Sequence, residues 1–272
     1  MITKRRQMTV AALAAVLGLG LGSAGCAEST APTGKSAQGD IGLVKNGLLT
    51  SCTHLPYKPF QFTENGKVVG FEVDLGDLLA KELGVKQQVV NTPWEGIVSG
   101  EDFNTAKCDI AYGGATITEE RKKVVDFTKP YTNVKQSLLA KKGAGIDGLE
   151  KLRGKKLGAQ KETTGKIYAE KNRAKYGYEI IEFEDFNLLS TAVRTGQVNA
   201  SIADSGILEY YISQNPDTEI GASYETGEQL GLMVKKGNKP MLDKLNGVLD
   251  KAKQDGTYNT IYKKWFGKEP TQ

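Results

Sequence analysis

Short apolar runs of strand length alternate with stretches whose apolar positions recur every three or four residues, from Leu48 to Phe266. That alternation predicts an α/β fold with largely parallel sheets. The runs at 48–53, 85–90, 108–112, 156–160, 179–183, 198–203 and 230–235 read as strands. Helical patterning covers 74–83, 166–176, 186–195, 240–255 and 258–266. In the first of these, Leu75, Leu78, Leu79 and Leu83 form one stripe and Gly84 supplies the stop. A further helix is expected over 94–105, weakened by Gly96 and Gly100. Asn65-Gly66 between the apolar segments 60–62 and 67–71 predicts a tight hairpin. About 230 residues carry this pattern, which suits two domains.

The amino terminus has a different pattern. Lys4, Arg5 and Arg6 precede an apolar, glycine-punctuated run over 8–22 that is short for a bilayer span. Ser23-Ala24-Gly25-Cys26 follows, and small residues before a cysteine look like a lipoprotein signal-peptide site. Residues 1–25 are therefore expected to be a signal peptide and Cys26 a lipidated first residue, although Ser23 stands where leucine is commoner. Residues 26–40, rich in Ser, Thr, Ala, Gly and Pro, read as a disordered tether. A residue carrying two or more acyl chains anchors firmly to a membrane.

Charge narrows the choice of partner. The formal net charge is +4, and removing Lys4, Arg5 and Arg6 with residues 1–25, which hold no acid, leaves +1. A nucleic-acid binder is normally more basic, with clustered cations. His54 is the only histidine, which argues against a histidine-based metal site. No cofactor is expected.

The stretch Gly113-Gly114-Ala115-Thr116-Ile117-Thr118-Glu119-Glu120-Arg121-Lys122 concentrates the candidate chemistry. Two glycines let the backbone turn closely around something. Thr116 or Thr118 is placed to cap a helix, and Thr116 with Glu119 fits the capping-box spacing. Free N–H groups at a helix start attract an anion, and Arg121 can clamp a carboxylate. An ordinary strand, turn and helix with a solvated Arg121 fits the same residues.

Upstream lie Pro56-Tyr57-Lys58-Pro59-Phe60 and Gly66-Lys67-Val68-Val69-Gly70-Phe71-Glu72-Val73-Asp74-Leu75; downstream comes Val125-Asp126-Phe127-Thr128-Lys129-Pro130-Tyr131. This ordered set resembles the extracytoplasmic solute-binding proteins, family 3, of polar amino-acid ABC importers, over about residues 48–266. The resemblance implies a two-lobed periplasmic-binding-protein type II fold: two open, mostly parallel sheets, a hinge and an interlobe cleft. Lobe 1 would be discontinuous, 41–134 with 230–268, and lobe 2 would be 135–229. Crossings near 133–135 and 226–229 would form the hinge. Neighbouring strands in that fold would bring Cys52 and Cys108 together, and an exported setting allows them to pair.

The same resemblance implies a ligand set. Arg121, with N–H groups around Gly114 and Thr116, would hold a ligand carboxylate. Thr163 and Thr164 would cover it from the second lobe. Asp204, ending the strand at 198–203, would take the ammonium, helped by the Thr116 hydroxyl. Tyr57 and Trp94 would form aromatic walls. Each has a plainer reading: helix caps for Thr163, Thr164 and Asp204, and core positions for Tyr57 and Trp94. Phe60 and Phe71 resemble positions that pack the core. His54 stands where several basic-amino-acid binders carry aspartate, and Glu162 where glycine is usual. The first argues against a basic ligand and the second for one; Gln160 is a further pocket candidate.

The leading expectation is a monomeric lipoprotein on the outer face of the cell membrane that binds an amino acid and passes it to an ABC permease and its ATPase, with no catalytic residue. A cyclohexadienyl-dehydratase-like enzyme would need Glu162 and His54 to share the cleft. There is no nucleophile elbow, and Gly158 and Gly165 do not fit a phosphate loop. A ligand-sensing receptor module is the third reading and would need a separate signalling partner.

Overall fold

The computed structural model describes residues 41–270, so the expectations for the signal peptide, Cys26 and the tether lie outside the described residues. The chain runs through β1 (Leu48–Thr53), the hairpin β2 (Phe62–Glu64) and β3 (Lys67–Val69), and helix α1 (Phe71–Glu82). Then come β4 (Lys86–Asn91), the short helices α2 (Trp94–Val98) and α3 (Glu101–Asn104), β5 (Ile110–Ala111) and β6 (Val125–Phe127). A second run holds β7 (Thr132–Lys141), β8 (Lys156–Gln160), α4 (Thr164–Tyr176), β9 (Glu179–Phe183), α5 (Phe186–Thr195), β10 (Ala200–Asp204), α6 (Ser205–Gln214) and β11 (Thr218–Leu230). The chain ends with β12 (Met233–Lys235), α7 (Lys239–Gln254) and α8 (Thr257–Phe266).

Two five-stranded sheets result, in the orders β4-β1-β5-β12-β6 and β11-β7-β10-β8-β9. Each has a parallel core, β4-β1-β5 in one and β10-β8-β9 in the other, joined through one antiparallel strand, β12 or β7, to an outer strand, β6 or β11, that runs with the core. β1 is buried along both faces, as a central parallel strand requires. The chain leaves the first sheet after β6 and returns at β12, and β7 pairs β11 at this crossing, Val134 opposite Glu228 and Thr132 opposite Leu230. These paired strands are where the chain passes between the two sheets.

The first lobe's core gathers Phe60, Phe71, Tyr131, Tyr258 and Tyr262, with Phe71 edge-on to Phe60, Tyr258 and Tyr262. The C-terminal helices thus close the core that β1 and α1 begin. The second lobe packs Leu138, Leu149, Leu157 and Ile202 on one side of its sheet, and Leu139, Leu189, Val193 and Leu208 on the other. Cys52 and Cys108 are joined by a disulfide, their Cα atoms 5.6 Å apart, because β1 and β5 are neighbours. No helix among the described residues is long and apolar enough to cross a membrane.

Several elements differ from the sequence pattern. Helix α1 starts at Phe71, not at 74. Gly70, at φ 143°, turns the chain into the helix, and the Phe71 and Glu72 N–H groups donate to the carbonyls of Pro59 and Phe60. Those long-range caps replace a local capping residue. The helix expected over 94–105 breaks at Ser99 and Gly100, where Gly100 is left-handed. The capped helix expected after Thr116 is a three-residue 3-10 turn, Arg121–Lys123; the Thr118 hydroxyl accepts the Arg121 N–H at 3.2 Å. Glu119 is exposed and pairs with Lys122, so no capping box forms. The run 108–112 contributes only Ile110–Ala111 to the sheet, and 230–235 divides between β11 and β12.

Candidate functional site

Open α/β sheets collect ligands beyond the carboxyl ends of their strands. Here the segments after β1 (His54, Tyr57), β4 (Trp94) and β5 (Gly113, Gly114, Thr116) line one cavity with Arg121. Thr163 and Thr164 after β8 and Asp204 at the end of β10 form the opposite wall. All nine residues expected at a ligand site thus border the same space. Its volume is about 40 Å³, room for a few waters.

The glycine turn is shaped by the rings beside it. A Cβ on Gly113 would lie 2.6 Å from the Trp94 ring, and one on Gly114, where φ is +62°, would lie 2.8 Å from Tyr57. Only glycine lets both aromatics pack on this backbone. The Gly114 N–H does not face the cavity as expected: it donates to Glu72 Oε2 at 2.9 Å, while the Tyr131 hydroxyl donates to Oε1 at 2.7 Å. Glu72 is thus a buried prop under the turn. Burial raises its pKa to about 7 against the lowering effect of these donors.

Arg121 reaches across the lobes. Its Nη1 donates to the Thr116 carbonyl at 3.0 Å and its Nη2 to the Glu162 carbonyl at 2.8 Å, and its guanidinium lies 5.3 Å from the centre of the Trp94 ring. Trp94 Nε1 donates to the same Glu162 carbonyl at 3.0 Å. Burial lowers the Arg121 pKa, and nearby Asp204 and Glu228 oppose that change. The position comes from a loop and a short turn, with no helix dipole behind it.

Glu162 has φ 55°, the left-handed region that glycine enters without strain, which explains why glycine suits this position. Its side chain is exposed and borders an outer groove with Glu95 and Glu170. Glu162 and His54 therefore do not face one another across the cavity.

The two threonines divide their roles. The Thr163 hydroxyl accepts the Lys166 N–H at 3.2 Å and donates to the Gln160 carbonyl at 2.7 Å, so it is the cap of α4. The Thr164 hydroxyl turns inward, 3.2 Å from that of Thr116, and donates to Glu228 Oε2 at 2.9 Å. Asp204 occupies the cap position of α6 without making a side-chain cap bond. Its Oδ1 instead accepts from Gln136 Nε2 at 2.7 Å. Burial raises its pKa to about 7, with Glu228 adding to the rise and Gln136 and Arg121 opposing it.

Sequence reasoning missed Glu228 and Gln136. Gln136 Nε2 lies 2.9 Å from Glu228 Oε2, so the amide sits between two carboxylates. Both residues lie on the paired strands β7 and β11. The polar alternation from Thr218 to Gln229 was the available signal for β11. Gln61 and Gln160 also border the cavity, and Gln160 Nε2 donates to the Glu184 carbonyl at 3.2 Å. Among the described residues, no three His, Cys, Asp or Glu side chains are grouped to hold a metal ion.

Known proteins share this architecture. A probable histidine-binding protein of Neisseria gonorrhoeae is 31% identical over 225 residues, covering 79% of this chain and 82% of that protein. The solved structure of an ancestral arginine-binding protein bound to arginine superposes with a TM-score of 0.76 at 39% identity, covering 81% of this chain and 99% of that one. An ancestral amino-acid-binding protein, AncCDT-1, a precursor of cyclohexadienyl dehydratase, gives a TM-score of 0.73 at 37% identity, over 81% of this chain and 95% of that one. The family model for bacterial extracellular solute-binding proteins, family 3, matches residues 49–268. With its paired sheets, double crossing and interlobe cavity, this chain belongs to the bacterial extracellular solute-binding proteins, family 3.

Proposed function

We propose that the protein captures a polar amino acid outside the cytoplasm by closing its lobes, and delivers it to a membrane permease driven by an ATPase. The observation that carries this reading is that Arg121, from the first lobe, and Asp204, from the second, border one cavity. A free amino acid has a carboxylate and an ammonium, and burying both requires matched partners. Arg121 supplies a cation for the first and Asp204 an anion for the second; Thr116 and Thr164 stand between them. The names of the histidine-binding and arginine-binding relatives agree with this reading.

On this reading, 41–134 with 230–268 move as one lobe and 135–229 as the other, about the crossings near 133–135 and 226–229. Residues 1–25 direct export, Cys26 carries the lipid, and 26–40 tether a monomeric domain to the outer face of the membrane. The protein binds without chemistry. Its similarity to a dehydratase precursor gives the catalytic alternative its only footing, and the outward Glu162 side chain weighs against it.

Isothermal titration against the common amino acids tests the proposal. At least one should bind well below millimolar, and Arg121→Ala and Asp204→Ala should each abolish the signal. Millimolar or weaker binding of all of them contradicts it. Incubation with a prephenate-like acid should yield no product.

A further inference from the structure

Two groups in the cavity have no role in holding a carboxylate and an ammonium. His54 and Gln61 border it on the first-lobe side. His54 Nδ1 lies 3.0 Å from the Thr92 carbonyl, which can only accept, so Nδ1 carries the hydrogen. In the neutral ring that leaves Nε2 as an acceptor. Gln61 is 1% exposed, and its Nε2 donates to the His54 carbonyl at 3.4 Å, which leaves Oε1 as the free end. Among the described residues, neither His54 Nε2 nor Gln61 Oε1 has a hydrogen-bond partner, and both atoms are buried. A buried polar atom without a partner is costly, so a donor brought to this place is strongly favoured.

The fixed charges point the same way. Arg121 is one cation, and Asp204 and Glu228 are two carboxylates that both act on it. Glu228 reaches the site through Thr116, Thr164 and Gln136. Glu228 thus adds an acidic side chain beside the Arg121–Asp204 pair, held there by Gln136 and Thr164. An acidic excess around the cavity favours a ligand with additional positive charge.

We infer that the ligand is an amino acid with a cationic, donor-bearing side chain, an ammonium or a guanidinium, whose far end meets His54 Nε2 and Gln61 Oε1 between Tyr57 and Trp94. This rests on the amino-acid reading proposed above and selects within it. Tyr57 and Trp94 strengthen the choice, because aromatic faces attract cations that aliphatic walls would not hold. His54 and Gln61 act as specificity residues, and Glu228 as the charge that sets the preference.

The experiment is a calorimetric panel of arginine, lysine, citrulline, glutamine, glutamate and norleucine on the full chain. Arginine or lysine should bind at least roughly ten-fold more tightly than citrulline and glutamine, a difference of about 1.4 kcal/mol, and glutamate should be weaker still. Gln61→Leu should narrow the preference for arginine over norleucine, and Glu228→Gln the preference for arginine over citrulline. Tightest binding of glutamate or norleucine overturns the inference and leaves amino-acid capture standing. So does a cation preference unmoved by both variants, each checked for folding by circular dichroism. Failure of every amino acid overturns the capture reading and this inference with it. The wild-type panel alone decides between the ligand classes whether or not either variant folds.

Discussion

Arg121 donates to the backbone carbonyl of Glu162 across the interlobe space at 2.8 Å, so the residue that faces the cavity also ties the two lobes together. The contact uses the Glu162 backbone, in the left-handed region, and leaves its carboxylate outside. Arg121 has five N–H donors, and two are engaged by the Thr116 and Glu162 carbonyls. The guanidinium fork is what allows one side chain to meet both carbonyls and still face a ligand.

Lysine at this position keeps the charge and loses the fork. Arg121→Lys should therefore weaken amino-acid binding by roughly a hundred-fold, about 3 kcal/mol. Glu162→Gly should change affinity by less than about three-fold, whereas Glu162→Val, β-branched at positive φ, should cost about 1–2 kcal/mol of stability. Titration calorimetry and thermal unfolding separate the two effects. A large affinity loss in Glu162→Gly with intact folding would show that the carboxylate reaches the ligand.

Binding should be linked to a proton. Asp204 is faced by Glu228 and Gln136 from the crossing strands and by Arg121, Glu72 and Tyr57 from the first lobe. Its pKa is raised to about 7. An ammonium brought to it favours the ionised form, so affinity should fall as pH drops below about 7. Calorimetry at pH 6 in buffers of differing ionisation heat should detect release of up to one proton, and far less at pH 8, where Asp204 is already ionised.

The same two buried carboxyls set the pH dependence of folding. Glu72 and Asp204 both titrate near 7 in the fold, above the ordinary carboxylate range near 4. Between those values the folded chain holds more protons than the unfolded one. Their contribution to stability is complete below about pH 4 and is lost as pH rises through 7, by a few kcal/mol for each group. The Tm of ligand-free protein should be higher at pH 5 than at pH 8, and Glu72→Gln should flatten the slope.

The threonine pair should separate cleanly on substitution. Thr163→Val removes the α4 cap and should cost about 1 kcal/mol of stability with little change in affinity. Thr164→Val removes a hydroxyl that joins Thr116 and Glu228 and should weaken binding more than it lowers Tm. The reverse pattern would mean that the inward hydroxyl is structural.

The disulfide closes a segment with a sequence separation of 56. On the loop-entropy scale, its removal in a Cys52→Ala, Cys108→Ala variant should cost about 4 kcal/mol. Chemical denaturation of both forms measures the difference, and an unchanged midpoint would show that the reduced chain is already constrained by packing.

How much of this was legible in the sequence depends on how local the cause is. The second lobe's strands at 156–160 and 179–183 match β8 and β9, and the helix over 186–195 matches α5. Their signals are adjacent: apolar runs, then Asp185 capping α5 and Gly196 stopping it. The start of α1 was hidden because its first donors are met by Pro59 and Phe60, across a hairpin. The end of Arg121's expected helix was hidden because the chain returns at once into β6, which pairs with β12 more than a hundred residues later. Tyr57, Trp94, Arg121 and Asp204 were found through the ordered set of motifs. Gln136 and Glu228 were not, because one is a lone polar residue in a largely buried strand and the other a polar residue in an alternating one. Their meaning appears only when β7 and β11 set them beside Asp204. The Gly114 N–H went astray for the same reason, since its partner Glu72 comes from α1, 42 residues away.

Two lobes gripping opposite poles of one amino acid is a geometry that a crystal of the full chain grown with arginine would display. The ligand carboxylate should lie on the Arg121 guanidinium and the α-ammonium on Asp204, both within hydrogen-bond distance, between closed lobes. Density for the ligand outside that space, or with Arg121 and Asp204 touching neither pole, would overturn the grip.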